Sequence, residues 1–177
     1  MERPTLILDA DTIRLPNCRS VRLAGLDAPE LGQLAIDSRG HRYDAGLAAS
    51  RALLDHLEAK VAEGFVARVV GDAQDKYGRI LGSITLEHPD GRAEDVGEWL
   101  VQSGLAVAEY GERYRTDEAE ARAAGVGMWG GRLAYRPQAW RRRGARAHPM
   151  IDRRTGRPGC LVILVALTVL VAALIAL

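Results

Sequence analysis

The sequence lacks the features that define several large protein classes. It has only two cysteines, Cys18 and Cys160, which are too few for a disulfide framework and do not have the spacing of a zinc site. Its first residues, MERPTLILDADT, contain no basic stretch followed by a long apolar run, so they do not predict a secretory signal peptide. We therefore expect neither a disulfide scaffold nor a zinc protein, and the cysteines leave the redox compartment open.

Basic residues are scarce over most of the chain. Residues 1–131 hold 15 basic and 22 acidic side chains, a formal charge of −7. The other nine basic residues lie within residues 132–157, where the only acid is Asp152. A domain that binds nucleic acid through its overall charge would need a basic surplus instead. Any phosphate binding by residues 1–131 must therefore depend on a few local side chains.

One long apolar run is present, at residues 160–177. It has 18 consecutive positions without charge, proline or glycine. As a helix it would span about 27 Å, at about 1.5 Å per residue, which just crosses the core of a bilayer. The alternative is a buried core helix, but such helices are seldom apolar on every face. The run therefore predicts a transmembrane helix that anchors the chain in membrane lipid.

The charge around this run predicts its orientation. Arginines precede it, and only the terminal carboxylate follows, so the positive-inside tendency would keep the arginine side cytoplasmic. We interpret residues 141–159 as an arginine-rich linker, in which residues 141–143 suit anionic lipid better than nucleic acid. We expect a monomeric, tail-anchored protein that faces the cytoplasm. The alternative is an exported enzyme whose signal peptide precedes Met1.

Hydrophobic patterning predicts both strands and helices. Stretches rich in β-branched and aliphatic residues predict two hairpins, which pair residues 6–15 with 20–26 and residues 65–70 with 80–86. Apolar residues at helical spacing predict three helices, at residues 45–61, 93–103 and about 117–124. This order favours an α+β fold, in which helices pack on a small antiparallel β-barrel.

Three polar stretches lie at the ends of predicted strands. They are DADT at residues 9–12, RLAGLDAPE at residues 22–30 and DKYGR at residues 75–79. Strand alternation would bury Val21 and Leu23 and turn Arg22 to the outer surface. Each stretch alone says little, because an acidic residue in a turn more often forms the turn than binds a ligand.

The carboxylates of these stretches suit a hard divalent cation. Asp11 and Asp27 could provide two carboxylate ligands, and the Ala28 carbonyl oxygen and waters could complete the coordination shell. Glu30 is close to Asp27 in sequence and could orient or deprotonate a water held by the metal ion.

Two arginines complete the set of reactive groups. Arg22 and Arg79 offer the planar, bidentate grip that a phosphodiester favours. Carboxylates for a cation, a free carboxylate for a water molecule and arginines for a phosphate together indicate phosphodiester hydrolysis.

In this order, DADT, VRLAGLDAPE, DKYGR, GLA and a final MW resemble the staphylococcal nuclease (thermonuclease) family. The resemblance covers about residues 6–140 and implies a nuclease domain at residues 1–140. It implies a five-stranded OB-type barrel with three packed helices. It also implies one bound Ca²⁺ ion and hydrolysis of DNA or RNA that leaves 3′-phosphates.

The resemblance assigns roles to six residues. They are the metal ligands Asp11, Asp27 and the Ala28 main-chain oxygen, the water-holding Glu30, and Arg22 and Arg79, which would stabilise the five-coordinate transition state. Ala10 stands where the family usually has glycine. If that position required a positive φ, the neighbouring ligand would be displaced.

Four other residues match substrate contacts. Lys76 and Tyr77 correspond to positions that touch the nucleotide's other phosphate, and either Tyr110 or Tyr114 could stack on a base. A non-catalytic nucleic-acid-binding or scaffold module at a membrane is the main alternative function. An OB-type domain for oligosaccharides or a protein partner is another, but neither needs this mixture of carboxylates and arginines.

Overall fold

The structure is a computed structural model that describes residues 6–15, 17–133 and 135–143. Within these residues the strands are β1 (Leu6–Asp9), β2 (Thr12–Arg14), β3 (Ser20–Leu23), β4 (Leu26–Asp27), β5 (Leu34–Ile36), β6 (Arg42–Asp44), β7 (Val66–Gln74), β8 (Ile80–Glu87), β9 (Ala93–Asp95), β10 (Val107–Ala108) and β11 (Arg132–Leu133). The α-helices are α1 (Ala45–Ala62), α2 (Val96–Gln102), α3 (Arg115–Ala124) and α4 (Pro137–Arg142). A 3₁₀ turn covers Gly127–Gly130.

The largest sheet has the strand order β1-β2-β3-β8-β7, and β9 pairs with β8. The predicted hairpin of residues 65–70 and 80–86 is confirmed as the antiparallel pair β7 and β8. The first predicted hairpin is confirmed for residues 12–14, since β2 pairs antiparallel with β3, but residues 6–15 also turn at Ala10 and Asp11 and form the additional antiparallel pair β1 and β2. The expectation of a wholly antiparallel barrel is wrong at one ladder, since β3 and β8 pair in parallel.

Two smaller sheets connect distant parts of the chain. β10 pairs with β4, so Val107 lies opposite Asp27. β11 pairs with β5, which also pairs with β6. The first ladder holds β10 against the strand that carries Asp27, and the second holds β11 against β5, which follows the loop that carries Glu30.

Alternation along β3 fixes which side chains form the core. Val21 and Leu23 are buried, as predicted, and Arg22 between them points away from the core. The core also takes apolar side chains from α1, β8 and α2, among them Leu53, Leu86 and Leu100. The fold is therefore α+β, with helices packed against a sheet, as the sequence predicted.

Capping side chains set where the helices begin. Asp44 caps α1 by accepting a hydrogen bond from the Leu47 N–H, and Asp95 caps α2 by accepting one from the Glu98 N–H. The second helix was predicted to begin at residue 93, but residues 93–95 extend the sheet as β9 instead. α3 ends at Gly125, which adopts the left-handed conformation with φ 64°.

The chain continues as α4 where the sequence predicted the start of a linker. Arg141 and Arg142 belong to this helix, and Pro137 begins its first turn. Residues 144–177 lie outside the described residues, and they include most of the predicted linker and the whole predicted transmembrane helix. No helix within the described residues is long and apolar enough to cross a membrane. The membrane anchor and the cytoplasmic orientation therefore stay predictions.

Candidate metal and phosphate site

Two nearly inaccessible carboxylates meet one arginine at the ends of β2, β3 and β4. Asp11 is 5% exposed and Asp27 is 0% exposed. Arg22 forms an ion pair with Asp11 through Nη1, and its Nη2 donates to Asp27 Oδ1 at 2.7 Å. Arg22 points away from the core, as predicted, but its side chain is only 13% exposed because it lies between the two carboxylates. The pairing matters because an unpaired buried charge would cost on the order of several kcal/mol.

The turn that carries Asp11 holds its carboxylate in place. Asp11 Oδ2 accepts a hydrogen bond from the Ala28 N–H at 2.8 Å, and Asp11 Oδ1 accepts one from the Thr12 hydroxyl at 3.0 Å. Ala28 therefore lies beside Asp11, and its role as a third ligand stays a prediction. Ala10 is fully buried and is not among the described non-glycine residues with positive φ. The alanine therefore does not strain this turn, and Asp11 is not displaced on that account.

Asp9 is a carboxylate that the sequence analysis did not assign to the site. Its Oδ1 accepts a hydrogen bond from the Asp11 N–H at 3.3 Å. Burial raises the pKa of Asp9, and the hydrogen bond from Thr12 and the charges of Arg22 and Arg79 only partly offset that effect. The signal was present in DADT, because residues two apart around a tight turn can bring both carboxylates to one site.

Arg79 reaches the same site from the turn between β7 and β8. Its Nη1 donates to the Thr12 hydroxyl at 3.4 Å, and its Nε donates to Asp75 Oδ2 at 2.7 Å. Asp75 also forms an ion pair with Arg79 Nη2 at 2.6 Å. We call Asp9, Asp11, Arg22, Asp27 and Arg79 the strand-end cluster, because each lies at or beside the end of a strand.

Lys76 and Tyr77 stay at the rim of the cluster. Tyr77 is 72% exposed, and its ring lies 5.0 Å from Lys76 Nζ and 5.4 Å from the Arg79 guanidinium carbon. An exposed aromatic ring flanked by two cations is the kind of surface to which a nucleotide can bind.

The structure separates the two tyrosines proposed for base stacking. Tyr110 is 62% exposed, and its hydroxyl accepts a hydrogen bond from Arg141 Nη2 at 3.4 Å, so it borders the site. Tyr114 is 6% exposed and donates its hydroxyl proton to Asp95 Oδ1 at 2.9 Å. Burial and this hydrogen bond raise the pKa of Tyr114. The prediction that Tyr114 could stack on a base is therefore wrong, because its ring belongs to the core.

The loop that carries Glu30 is fixed by contacts that the sequence analysis missed. The Glu30 N–H donates to the side-chain oxygen of the buried Gln33 at 3.2 Å. A Cβ on Gly46, in the first turn of α1, would lie 2.2 Å from the Glu30 carbonyl oxygen. Only glycine lets the helix approach this loop so closely. These tertiary contacts have no local sequence signal.

Arg141 of α4 also enters the site, although the sequence placed it in a linker. Its Nη1 donates to Asp27 Oδ1 at 3.0 Å and to Glu30 Oε1 at 2.6 Å. Its Nη2 donates to Asp27 Oδ2 at 2.8 Å. Burial acts to lower the pKa of Arg141, but the hydrogen bonds that it donates to Asp27 and Glu30 outweigh burial and raise the pKa above its usual value.

Two anchors hold the chain that leads to Arg141. Gln33 Nε2 donates to the Tyr135 carbonyl oxygen at 2.7 Å. Arg136 donates to the buried Glu118 at 2.9 Å and to the Ala108 carbonyl oxygen at 2.7 Å. We call residues 131–133 and 135–143 the C-terminal segment. It crosses from β11 to the strand-end cluster.

The donor set fits a hard cation. The carboxylates of Asp11 and Asp27 and the main-chain oxygen of Ala28 are oxygen ligands, which Ca²⁺ and Mg²⁺ prefer over the nitrogen and sulfur ligands typical of zinc. Arginines pair with both carboxylates in the structure. Among the described residues no group of three or more His, Cys, Asp or Glu side chains has the geometry of a metal centre.

Fold and site together define an OB-like α+β protein whose carboxylates and arginines suit a phosphate ester and a cation. The family model described as staphylococcal nuclease homologue matches residues 20–131. The chain belongs to this family of nucleases, as the motifs predicted.

Relatives agree with this assignment. The chain is 36% identical over 149 residues to the micrococcal nuclease of Shigella flexneri, which covers 77% of each chain. It is 33% identical over 126 residues to the succinoglycan biosynthesis protein ExoI of Rhizobium meliloti (strain 1021), covering 70% of this chain and 61% of that one. It is 26% identical over 132 residues to the probable endonuclease LCL3 of Uncinocarpus reesii (strain UAMH 1704). The match spans 41% of the length of this last relative, so the chain covers less than two thirds of the length of two of the three relatives.

Proposed function

We propose that this protein is a Ca²⁺-dependent nuclease that hydrolyses phosphodiester bonds of DNA, RNA or both. The observation that carries the proposal is the strand-end cluster, in which two buried carboxylates are held by Arg22 next to Arg79. A module that only binds nucleic acid has no need to bury carboxylates at its phosphate site, where they repel the ligand. The names of two relatives, micrococcal nuclease and probable endonuclease, agree with the proposal.

Each side chain has a role in the proposed reaction. Asp11, Asp27 and the Ala28 carbonyl oxygen would hold the Ca²⁺ ion, which when bound adds positive charge next to the scissile phosphate. Glu30 orients a water molecule and takes its proton as the water oxygen bonds to phosphorus. The bond between phosphorus and the 5′ oxygen breaks, the leaving oxygen gains a proton, and the product carries a 3′-phosphate.

The arginines stabilise the charge that builds up on phosphorus. Arg79 has a side chain that is 31% exposed and can turn from Thr12 towards a bound phosphate. Arg22 is held by both carboxylates, so it presents its guanidinium with little loss of side-chain entropy. Preorganised donors of this kind stabilise a transition state because they need no rearrangement during the reaction.

A cleavage assay on the full-length chain in mild detergent tests the proposal. We expect plasmid DNA or RNA to be cut with Ca²⁺ and to stay intact with a chelator. Glu30→Gln should slow turnover by about a hundredfold or more, at the upper range of general-base effects, and should leave Ca²⁺ binding measurable by calorimetry. The control is Asp72→Asn, which changes an exposed carboxylate on β7 and should cleave at the wild-type rate. Full activity in chelator would refute the metal dependence, and unchanged turnover of Glu30→Gln would refute the role of Glu30.

A further inference from the structure

We infer that Arg141 is an internal cation that competes with the divalent metal ion for Asp27. It thereby sets the metal concentration that is needed for the ion to bind at Asp27. This inference rests on the proposed function, because it concerns access of the metal ion to the same carboxylates. It assigns a regulatory role to a residue outside the motifs that carry the family resemblance.

Hydrogen bonds already occupy most of the Asp27 carboxylate. Oδ1 accepts from Arg22 Nη2 at 2.7 Å and from Arg141 Nη1 at 3.0 Å, and Oδ2 accepts from Arg141 Nη2 at 2.8 Å. Each carboxylate oxygen has two lone pairs, so three of the four acceptor positions are in use. Arg141 supplies two of these three bonds. The remaining position is on Oδ2, which Arg141 Nη2 also contacts, so we expect a metal ion that binds Asp27 to compete with the Arg141 charge.

The same guanidinium also ties up the proposed base. Arg141 Nη1 lies 2.6 Å from Glu30 Oε1, so one arginine bridges the metal ligand and the group that would activate water. A water molecule that is to bind this Glu30 oxygen would have to compete with the Arg141 guanidinium for it. The arrangement in the structure is therefore a resting state, in which Asp27 and Glu30 are both bonded to Arg141.

The two arginines on Asp27 differ in how easily they can leave. The Arg22 side chain is 13% exposed and contacts two buried carboxylates, so removing it would leave both charges without a partner. The Arg141 side chain is 37% exposed and can swing into solvent, where its charge is well hydrated. A divalent cation can replace the Arg141 charge at Asp27, but it cannot replace Arg22 at the same low cost.

Arg141 differs from its neighbours Arg142 and Arg143 in what its side chain contacts. Arg142 is exposed, and the Arg143 guanidinium stacks over the Tyr135 ring at 4.2 Å. Within the described residues only Arg141 of this run contacts the site carboxylates. Because Tyr135 and Arg136 are anchored elsewhere, Arg141 can leave Asp27 without release of the whole C-terminal segment.

Calorimetric titration with Ca²⁺ alone tests the inference on the full-length chain in mild detergent. Arg141→Gln should bind Ca²⁺ at least about fivefold more tightly than wild type, the lower end of typical coupling between two sites. Arg142→Gln is the matched control and should change the Kd less than about twofold, which is within the scatter of distant surface changes. The metal-free Arg141→Gln protein should have a lower Tm than wild type, and saturating Ca²⁺ should raise that Tm by more than it raises the wild-type Tm.

Arg141→Lys keeps the variant series informative if Arg141→Gln folds poorly. Lysine retains the charge but loses the bidentate fork, so its Kd for Ca²⁺ should fall between those of wild type and Arg141→Gln. Equal or weaker Ca²⁺ binding in both variants, with wild-type cleavage still dependent on Ca²⁺, would overturn this inference alone. A wild-type protein that neither binds Ca²⁺ nor cleaves nucleic acid would overturn the inference and the proposed function together.

Discussion

Asp27 receives one arginine from the strand-end cluster and one from the C-terminal segment, and the two regions hold their arginines differently. Arg22 lies within β3, in ladders with β2 and β8, and its side chain is 13% exposed. Arg141 lies in a helix of six residues, and its side chain is 37% exposed. The rigid arginine suits a permanent structural and catalytic charge, and the exposed one suits a charge that can be exchanged for a metal ion.

We therefore expect substitutions in the strand-end cluster and in the C-terminal segment to have different effects. Substitutions in the strand-end cluster should change turnover most, because its side chains would touch the phosphate. Substitutions in the C-terminal segment should change stability and the response to metal instead, because its residues act on the site through Asp27 and Glu30. A variant of one region that behaves like the other would break this division.

The largest effect is expected for Arg79→Ala. Removal of one preorganised phosphate donor should lower kcat at least about a hundredfold, which corresponds to about 2.7 kcal/mol of transition-state stabilisation. The free energy of unfolding should fall by at most about 1 kcal/mol, because Arg79 loses only a partly exposed ion pair with Asp75. Steady-state kinetics and urea denaturation measure the two quantities. Arg142→Ala is the control, and an Arg79→Ala protein with wild-type kcat would remove Arg79 from the mechanism.

Arg136→Ala should have the opposite effect to Arg79→Ala, since it should lower stability and leave kcat nearly unchanged. The side chain pairs with the buried Glu118 and bonds to the Ala108 carbonyl oxygen. Its loss should lower the free energy of unfolding by about 1–2 kcal/mol, because Glu118 keeps its contacts to Arg122 and to the Ala108 N–H while the carbonyl loses its partner.

Urea denaturation measures the free energy of unfolding of Arg136→Ala, and Arg132→Ala is the matched control. Arg132 is an exposed arginine on β11, in the same segment. Equal stability of the two variants would show that the contacts of Arg136 do not anchor the segment. We also expect kcat at saturating Ca²⁺ to stay within about threefold of wild type, well below the effect of losing a phosphate donor.

The strand-end cluster could be predicted from sequence because its signals are local. Alternation along β3 buries Val21 and Leu23 and so fixes the direction of Arg22. The motif residues Asp11 and Asp27 stand at turns next to short strands, where their types and order are informative. Strand alternation did not show that Arg22 would be buried between two carboxylates, because that depends on how β2, β3 and β4 come together.

The C-terminal segment could not be predicted in the same way. An arginine run has the same composition whether it is solvated, meets lipid or enters a site, and a helix of six residues is too short to show a hydrophobic period. The sequence left open whether Tyr110 or Tyr114 stacks on a base for a related reason. Both tyrosines lie in the same short connection before α3, and only tertiary packing beside Gly97 buries one of them.

Tyr110 and Tyr114 should differ in what they contribute to substrate binding and to stability. Tyr110→Ala should raise KM about tenfold, because stacking on a base contributes about 1–3 kcal/mol. Tyr114→Phe should leave KM unchanged and lower the free energy of unfolding by about 1 kcal/mol, since it loses only the hydrogen bond to Asp95. Steady-state kinetics on one nucleic-acid substrate and urea denaturation measure both. A larger change in KM for Tyr114→Phe than for Tyr110→Ala would contradict the assignment.

The smallest effect is expected for Asp75→Asn, which tests how the turn between β7 and β8 prepares Arg79. Burial acts to raise the pKa of Asp75, but the hydrogen bonds from the Arg79 side chain and from the N–H groups of Arg79 and Tyr77 outweigh it and hold the pKa below its usual value. Asp75 therefore stabilises the folded state above its unfolded pKa of about 3.9. That contribution is lost as the pH falls through the lower pKa of the folded state.

Asp90→Asn provides the matched control for Asp75→Asn. The Arg92 N–H, together with the Arg92 and His88 side chains, lowers the pKa of Asp90 to about 2, and Asp90 lies in the turn between β8 and β9, outside the strand-end cluster. Both variants should have a lower Tm than wild type at pH 7, and both differences should shrink as the pH falls below about 4, where the unfolded carboxyl begins to bind a proton. Only Asp75→Asn should also lower kcat at pH 7, by about threefold to tenfold, because Arg79 loses its orienting partner. Thermal melts across pH 2–7 and steady-state kinetics decide the outcome: an equal effect of the two variants on kcat, or a Tm difference for Asp75→Asn that widens on acidification, would show that Asp75 does not prepare Arg79 in this way.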